Sequence, residues 1–198
     1  MQRIGSDAAP KPRQVRGFVV FKWLVYALLA IDVGLYATQG TATEMVDTAA
    51  WLVLLLLFEW ETGGWPLRPR TRRALHAVRL LASAAIVWAC RDYALQREWL
   101  DFANALTWLA VVFALELEVR VAATRIGFHR VRRAITWMLY AALGGFIVAW
   151  LWQAQGQVAG AWLDAWDASL WLAAFIAIEL NVFALGAAND RTHRVRNG

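Results

Sequence analysis

The sequence has few of the residues that build common catalytic and metal sites. Of its 198 residues only Cys90 is a cysteine, so no intramolecular disulfide can form. The three histidines, His76, His129 and His193, lie in basic segments without metal-ligand spacing. No glycine-rich phosphate loop, nucleophile elbow or Ser/His/Asp arrangement is present. We therefore expect no metal and no cofactor, and the pattern favours a protein that is not an enzyme.

The sequence also has few charged residues and many apolar ones. Charged residues make up 18% of the chain and hydrophobic residues 60%, and the mean hydropathy is +0.43. Soluble domains contain about 45–50% apolar residues. A soluble chain of this length cannot bury so much apolar surface, so the composition predicts an integral membrane protein. The 13 tryptophans are sufficient for aromatic belts at both membrane interfaces.

Six segments are apolar and close to the length of about 20 residues that a membrane-spanning helix needs. They are Phe18–Ala37, Asp47–Thr62, Leu75–Ala94, Leu100–Ala123, Ala134–Ala154 and Asp167–Ala188. The first is longer than the apolar part of a signal peptide, about 7–15 residues, and is expected to be retained. The predicted organisation is a disordered basic tail over residues 1–17, one transmembrane domain over 18–190, and a basic tail over 191–198.

Basic residues are confined almost entirely to one side of these spans. Of the 20 lysines and arginines, 18 lie on the side where the odd-numbered spans begin and the even-numbered spans end. The other two, Arg91 and Arg97, each adjoin an acidic residue. The positive-inside rule then predicts a multi-pass protein of the plasma membrane (the inner membrane of a bacterium) with both termini cytoplasmic. The arginine clusters are expected to contact anionic lipid headgroups rather than nucleic acid.

One motif occurs three times, with offsets of 57 and then 63 residues. The copies are Asp47-x-x-x-Trp51-x7-Glu59-x-Glu61, Asn104-x-x-x-Trp108-x7-Glu116-x-Glu118 and Asp167-x-x-x-Trp171-x7-Glu179-x-Asn181. The 57-residue offset also relates Lys22, Arg79 and Thr136, and Tyr36, Tyr93 and Trp150. Such a period is typical of one repeated supersecondary unit. We predict an all-α protein of three repeated antiparallel hairpins, over about residues 18–65, 75–125 and 134–190.

Helical rise places Lys22 at about the depth of Glu59 and Glu61. In the third repeat the base is replaced by Thr136 and the second acid by Asn181. Loss of both charges together is expected for an ion pair, because a single remaining charge would be buried without a partner. The predicted structural partners are therefore Lys22–Glu61, Arg79–Glu118 and Thr136–Asn181.

One glutamate per repeat then has no assigned partner: Glu59, Glu116 and Glu179. Each is expected to be protonated or to line a wet cavity, unless a local base such as Arg120 pairs with it. These three are the candidate ion or proton site. Asp32, in the outer half of span one, is interpreted as a hydrogen-bonding residue at a helix contact.

The favoured function is a cation or proton channel or transporter with a glutamate cluster in the cytoplasmic half of the membrane. Its expected ligand is a monovalent cation or a proton. The alternative is a membrane scaffold or accessory subunit that transports nothing. A third hypothesis is an intramembrane lipid-modifying enzyme using Glu59 and Glu61, but no nucleophile or metal set accompanies them.

Overall fold

A computed structural model of the chain describes residues 12–62, 69–120 and 126–176. In these ranges the protein is all-helical, with six helices and no strand. They are α1 (Pro12–Gln39), α2 (Ala42–Thr62), α3 (Pro69–Gln96), α4 (Trp99–Arg120), α5 (Ile126–Gln155) and α6 over residues 161–176. Within α1, α3 and α5, the segments Val19–Gln39, Thr71–Gln96 and Arg130–Gln155 are long and apolar enough to cross a membrane.

The helices extend beyond the apolar segments from which they were predicted. α1 begins at Pro12 and α3 at Pro69. Proline suits the first turn of a helix, because its fixed φ is already helical and its missing N–H has no partner there. Residues 12–17, which we predicted to be disordered, are therefore helical, whereas residues 1–11 lie outside the described part.

A capping box makes the turn between α1 and α2 short. The backbone N–H of Thr41 donates to Glu44 Oε2 at 2.6 Å, and the N–H of Glu44 donates to Thr41 Oγ1 at 3.2 Å. Both N–H groups precede the first helical hydrogen bonds and would otherwise lack a partner. This turn brings the end of α1 beside the start of α2.

Two other helices end with a non-glycine residue in the left-handed conformation. Arg97 after α3 has a φ of 64°, and Gln157 after α5 has a φ of 60°. After α3, the N–H of Glu98 donates to the carbonyl of Tyr93 at 3.0 Å. After α5, the N–H of Val158 donates to the carbonyl of Gln153 at 3.1 Å. These are Schellman motifs, and each reverses the chain within a few residues.

A central core joins α1, α4, α5 and α6. Its buried members are Val25, Leu29, Trp108, Val111, Tyr140, Leu143, Trp171 and Ala174. Along α1 this core lies between Lys22 on one side and Asp32 on the other, with Leu29 fully buried in the interval. An apolar layer therefore separates the polar residues at the two ends of the helices.

The outer surface of the helices is strongly apolar. Only 22–28% of the residues in the most apolar window of each of the three long segments are buried inside the protein. Leu80, Leu81 and Met138 are each 71% exposed, and Trp152 is 76% exposed. Large contiguous apolar surfaces on a folded protein mark contact with a membrane or another protein. The composition of these helices is that of membrane-spanning segments.

Candidate ion-binding site

An acidic chamber lies where α1, α3 and α5 end and α2, α4 and α6 begin. Its volume is about 30 Å³. Ten residues line it: Tyr36, Glu44, Asp47, Thr48, Tyr93, Asp101, Asn104, Trp150, Asp164 and Asp167. Five of them are acids, and none of these described lining residues is lysine, arginine or histidine. We call this cavity the acidic chamber.

Nine of the ten lining residues form three sets related by the offsets found in the sequence. The sets are Tyr36, Tyr93 and Trp150; Glu44, Asp101 and Asp164; and Asp47, Asn104 and Asp167. The first comes from the ends of the odd-numbered helices, and the other two come from the first two turns of the even-numbered helices. The first position of the recurring motif is therefore one that meets around a cavity.

The chamber tyrosines donate hydrogen bonds to its acids. Tyr36 OH donates to Asp164 Oδ1 at 3.0 Å, and Tyr93 OH makes a long contact of 3.5 Å with Asp47 Oδ2. Both tyrosines are almost fully buried, at 4% exposure. At the third equivalent position, the ring of Trp150 packs against Ala161, Ala165 and Ala168 of α6.

Several chamber oxygens have no hydrogen-bond donor in the described part of the chain. They are Oδ1 of Asp47, Oδ1 of Asn104 and Oδ1 of Asp167, all of them buried. A buried polar atom without a partner costs about 1–3 kcal/mol, and more when it carries charge. The chamber therefore has unused capacity to accept hydrogen bonds from water or to bind a cation.

Asp32 adds a sixth acid beside the chamber. It is completely buried, and both of its carboxylate oxygens lack a hydrogen-bond donor among the described residues. Asp167 is its interacting neighbour. We interpreted Asp32 as a hydrogen-bonding residue at a helix contact, and its neighbour at that contact is another acid.

Two acids at this end lie outside the predicted membrane spans, and their environment favours the protonated form. Burial is the main cause that raises the pKa of Asp164 to about 7, and the charges of Asp101 and Glu44 raise it further. Burial also raises the pKa of Glu98, with smaller contributions from Glu44 and Asp92. The accumulated negative charge at this end therefore makes proton uptake favourable near neutral pH.

Aromatic rings close the chamber on the side of the central core. A second cavity, of about 20 Å³, shares Asp47, Asn104 and Asp167 with the chamber and is lined further by Trp51, Trp108, Trp171 and Phe175. The ring centroids of Trp51 and Trp171 are 6.4 Å apart, and those of Trp108 and Phe175 are 4.9 Å apart. The motif tryptophans therefore form an apolar floor below the acids.

At the opposite end of α1, Lys22 forms an ion pair with Glu59. Tyr26 OH also donates to Glu59, with 3.3 Å between its oxygen and Oε2. The sequence had assigned Lys22 to Glu61 and left Glu59 without a partner. Glu59 therefore has a partner, and the Lys22–Glu61 pairing stays a prediction, because a depth estimate along two helices cannot distinguish acids two residues apart. The side chain of Glu61 lies outside the described residues.

The remaining predicted site residues are only partly described. Glu116 and Glu118 lie on α4, but their side chains are outside the described part, and Glu179 and Asn181 lie beyond its last residue. Whether Glu59, Glu116 and Glu179 converge therefore stays a prediction, as do the Arg79–Glu118 and Thr136–Asn181 partnerships. Thr136 is buried, and its hydroxyl donates to the carbonyl of Arg132 on the same helix at 3.1 Å.

Sequence reasoning missed the acidic chamber although its signal was present. The offsets of 57 and 63 residues also relate Glu44 to Asp101 and Asp164, three residues before each motif begins. An acid retained in all three copies at a span's end was a second repeated position.

The chain matches no protein-family model, no curated protein and no solved structure.

Proposed function

We propose that the protein is a multi-pass membrane protein that admits protons or monovalent cations to the acidic chamber as a channel or transporter. In this proposal six spans form three repeated hairpins with both termini in the cytoplasm of a bacterial cell, and the chamber faces the opposite side of the inner membrane. The exposed apolar helix surfaces and the one-sided distribution of basic residues support this arrangement.

The observation that carries the proposal is the concentration of acids without a base. Five carboxyl groups line one small cavity, and Asp32 lies beside it. Within a membrane protein, charged groups are costly and usually belong to an ion or proton pathway. A set of acids that only stabilised the fold would be expected to include lysine or arginine partners. Protons or cations supply the missing positive charge.

The position of the chamber suggests how such a pathway is closed. The tryptophan floor and the central core separate the chamber from the Lys22–Glu59 pair. Apolar constrictions block ions because water leaves them. Passage therefore requires the core side chains to move, and the arrangement described above corresponds to a closed conformation.

Flux in reconstituted liposomes tests the proposal. Asp47→Asn removes one chamber charge while preserving size, and Asp92→Asn is the matched control. Asp92 lies at the same end of α3, accepts a hydrogen bond from Thr43 at 2.6 Å and does not line the chamber. We expect proton or cation flux in the unmodified protein, at least a tenfold loss in Asp47→Asn, and little change in Asp92→Asn. No flux in the unmodified protein would refute the proposal.

One observation favours the alternative, a scaffold or accessory subunit. Glu59, one of the three predicted ion-site glutamates, is held by Lys22 and Tyr26 in a contact that joins α1 to α2. Under this alternative the chamber acids serve mainly to begin helices, as Glu44 does in its capping box. Asp47→Asn would then change the thermal unfolding temperature or the recovery of a co-purifying protein, with no flux in any variant.

A further inference from the structure

The acidic chamber is small. Its volume of about 30 Å³ leaves room for about two water molecules. Magnesium retains several of its waters in protein sites, which is more than this space holds. A dehydrated ion would depend on the lining oxygens for its ligands.

The acids are also not arranged as metal ligands. Among the described residues, no group of three or more acids, histidines or cysteines is placed to hold a metal ion. The acids are distributed around the cavity, and Tyr36 and Tyr93 direct their hydroxyl groups at two of them. Each of these hydroxyl groups occupies one carboxylate oxygen, of Asp164 and of Asp47, that a metal ion would otherwise have as a ligand.

The pair of Asp32 and Asp167 provides a natural place for a proton. The two acids interact, Asp32 is completely buried, and no described basic residue accompanies them. Two ionised carboxylates in such contact repel each other strongly, whereas one proton between them removes a charge and supplies the missing hydrogen bond. Asp47, Asp101, Asp164 and Glu44 lie on the remaining walls, and all of them add negative charge.

We infer that the ion taken up by the acidic chamber is the proton, and that Asp32 and Asp167 hold it between them. The inference rests on the proposed function for its physiological meaning, but proton binding itself can occur without transport. Asp164, whose pKa is raised to about 7, precedes Asp167 by three residues on α6 and lines the chamber with it. Tyr36 joins these groups, since it donates to Asp164 and interacts with Asp32 and Asp167.

Infrared difference spectroscopy on the full chain in lipid nanodiscs tests this inference. A protonated carboxyl group has a carbonyl stretching band that is separate from the bands of the carboxylate. We expect such a band near neutral pH in the unmodified protein, shifted by deuterium exchange, and a component of it lost in both Asp32→Asn and Asp167→Asn, whereas the contribution of Asp164 remains. Asp92→Asn should retain it. Asp32→Glu keeps an acid at this position and should retain a shifted band, which separates loss of the proton site from failure to fold.

Metal binding is measured on the same preparations by titration with calcium and with the luminescent ion terbium. We expect no saturable binding that depends on Asp167. Absence of the carboxyl band in the unmodified protein, or calcium binding that Asp167→Asn abolishes, would overturn the inference. If the band is present and liposomes show no flux, the proposed transport function fails while the proton site stands.

Discussion

Asp164 is the residue at which the electrostatics of the chamber can be read most directly. Its pKa is raised from 3.8 to about 7, first by burial and then by the charges of Asp101 and Glu44. Between these two pH values the folded protein binds more protons than the unfolded chain. The contribution of Asp164 to the free energy of unfolding therefore decreases as the pH rises from about 4 to about 7.

Replacement of Asp164 by asparagine is expected to flatten this dependence, by roughly 1 kcal/mol per pH unit at most. The asparagine oxygen can still accept the hydrogen bond from Tyr36. Unfolding in detergent, followed across this pH range, measures the slope, and Asp92→Asn provides the comparison. An unchanged slope in Asp164→Asn would show that its carboxyl group is ionised in the folded protein throughout the range.

The ion pair of Lys22 and Glu59 is expected to show coupling in a double-mutant cycle. The two side chains retain 19% and 29% exposure, so solvent weakens the pair relative to a fully buried one. We expect Lys22→Met to cost about 1–2 kcal/mol, below the 3–5 kcal/mol of a fully buried pair. Addition of Glu59→Gln should recover part of this loss. The same cycle with Glu61→Gln tests the assignment made from the sequence, and coupling only to Glu61 would contradict the structure.

At the scale of helices, the sequence predicted which segments are helical better than where each helix ends. Apolar content identified all six, because a buried or lipid-facing helix must be apolar along its length. The ends depend on local chemistry that apolar content does not report. Pro12 and Pro69 begin helices inside basic segments. Gly160, with a φ of 82°, precedes α6, which begins six residues before its predicted span at Asp167.

The left-handed residue after α3 gives a prediction that concerns helix termination alone. Arg97 has a φ of 64° and an exposed side chain. Glycine adopts this conformation without the steric cost that other residues carry, so Arg97→Gly should stabilise the protein by about 0.5–1 kcal/mol. In Arg91→Gly, an exposed position within α3, the same replacement should destabilise it by about as much. Thermal unfolding measures both, and destabilisation by Arg97→Gly would contradict the assigned turn.

At the scale of the whole molecule, the first position of the recurring motif forms a cavity that the sequence did not predict. We gave most weight to glutamates within the apolar spans, where charge is most conspicuous. The structure shows that Glu59 has a local partner, whereas Asp47, Asn104 and Asp167 meet around one cavity. A linear motif does not state which of its positions meet those of the other copies. That depends on how each helix is rotated about its own axis. Apolar periodicity does not fix this rotation in spans that are apolar on nearly every side.

The molecule as a whole has an acidic chamber at one end, an apolar core below it, and an ion pair at the other end. The three levels follow from the order of residues along α1, from Tyr36 through Leu29 to Lys22. Such an order is expected of a gated pathway, and the apolar layer is the part that would have to hydrate. We propose that the chamber acids, and Asp167 above all, take up the transported ion.

The most direct measurement compares proton flux in one reconstitution series of the unmodified protein, Asp167→Asn and Asp92→Asn. Protein orientation and amount in the liposomes are matched, and an imposed pH gradient drives the flux against a trapped pH-sensitive dye. We predict flux in the unmodified protein and in Asp92→Asn, and its loss in Asp167→Asn with the thermal unfolding temperature retained. Equal flux in all three proteins would contradict the account, because ions would then pass without the chamber carboxylate that is placed to receive them.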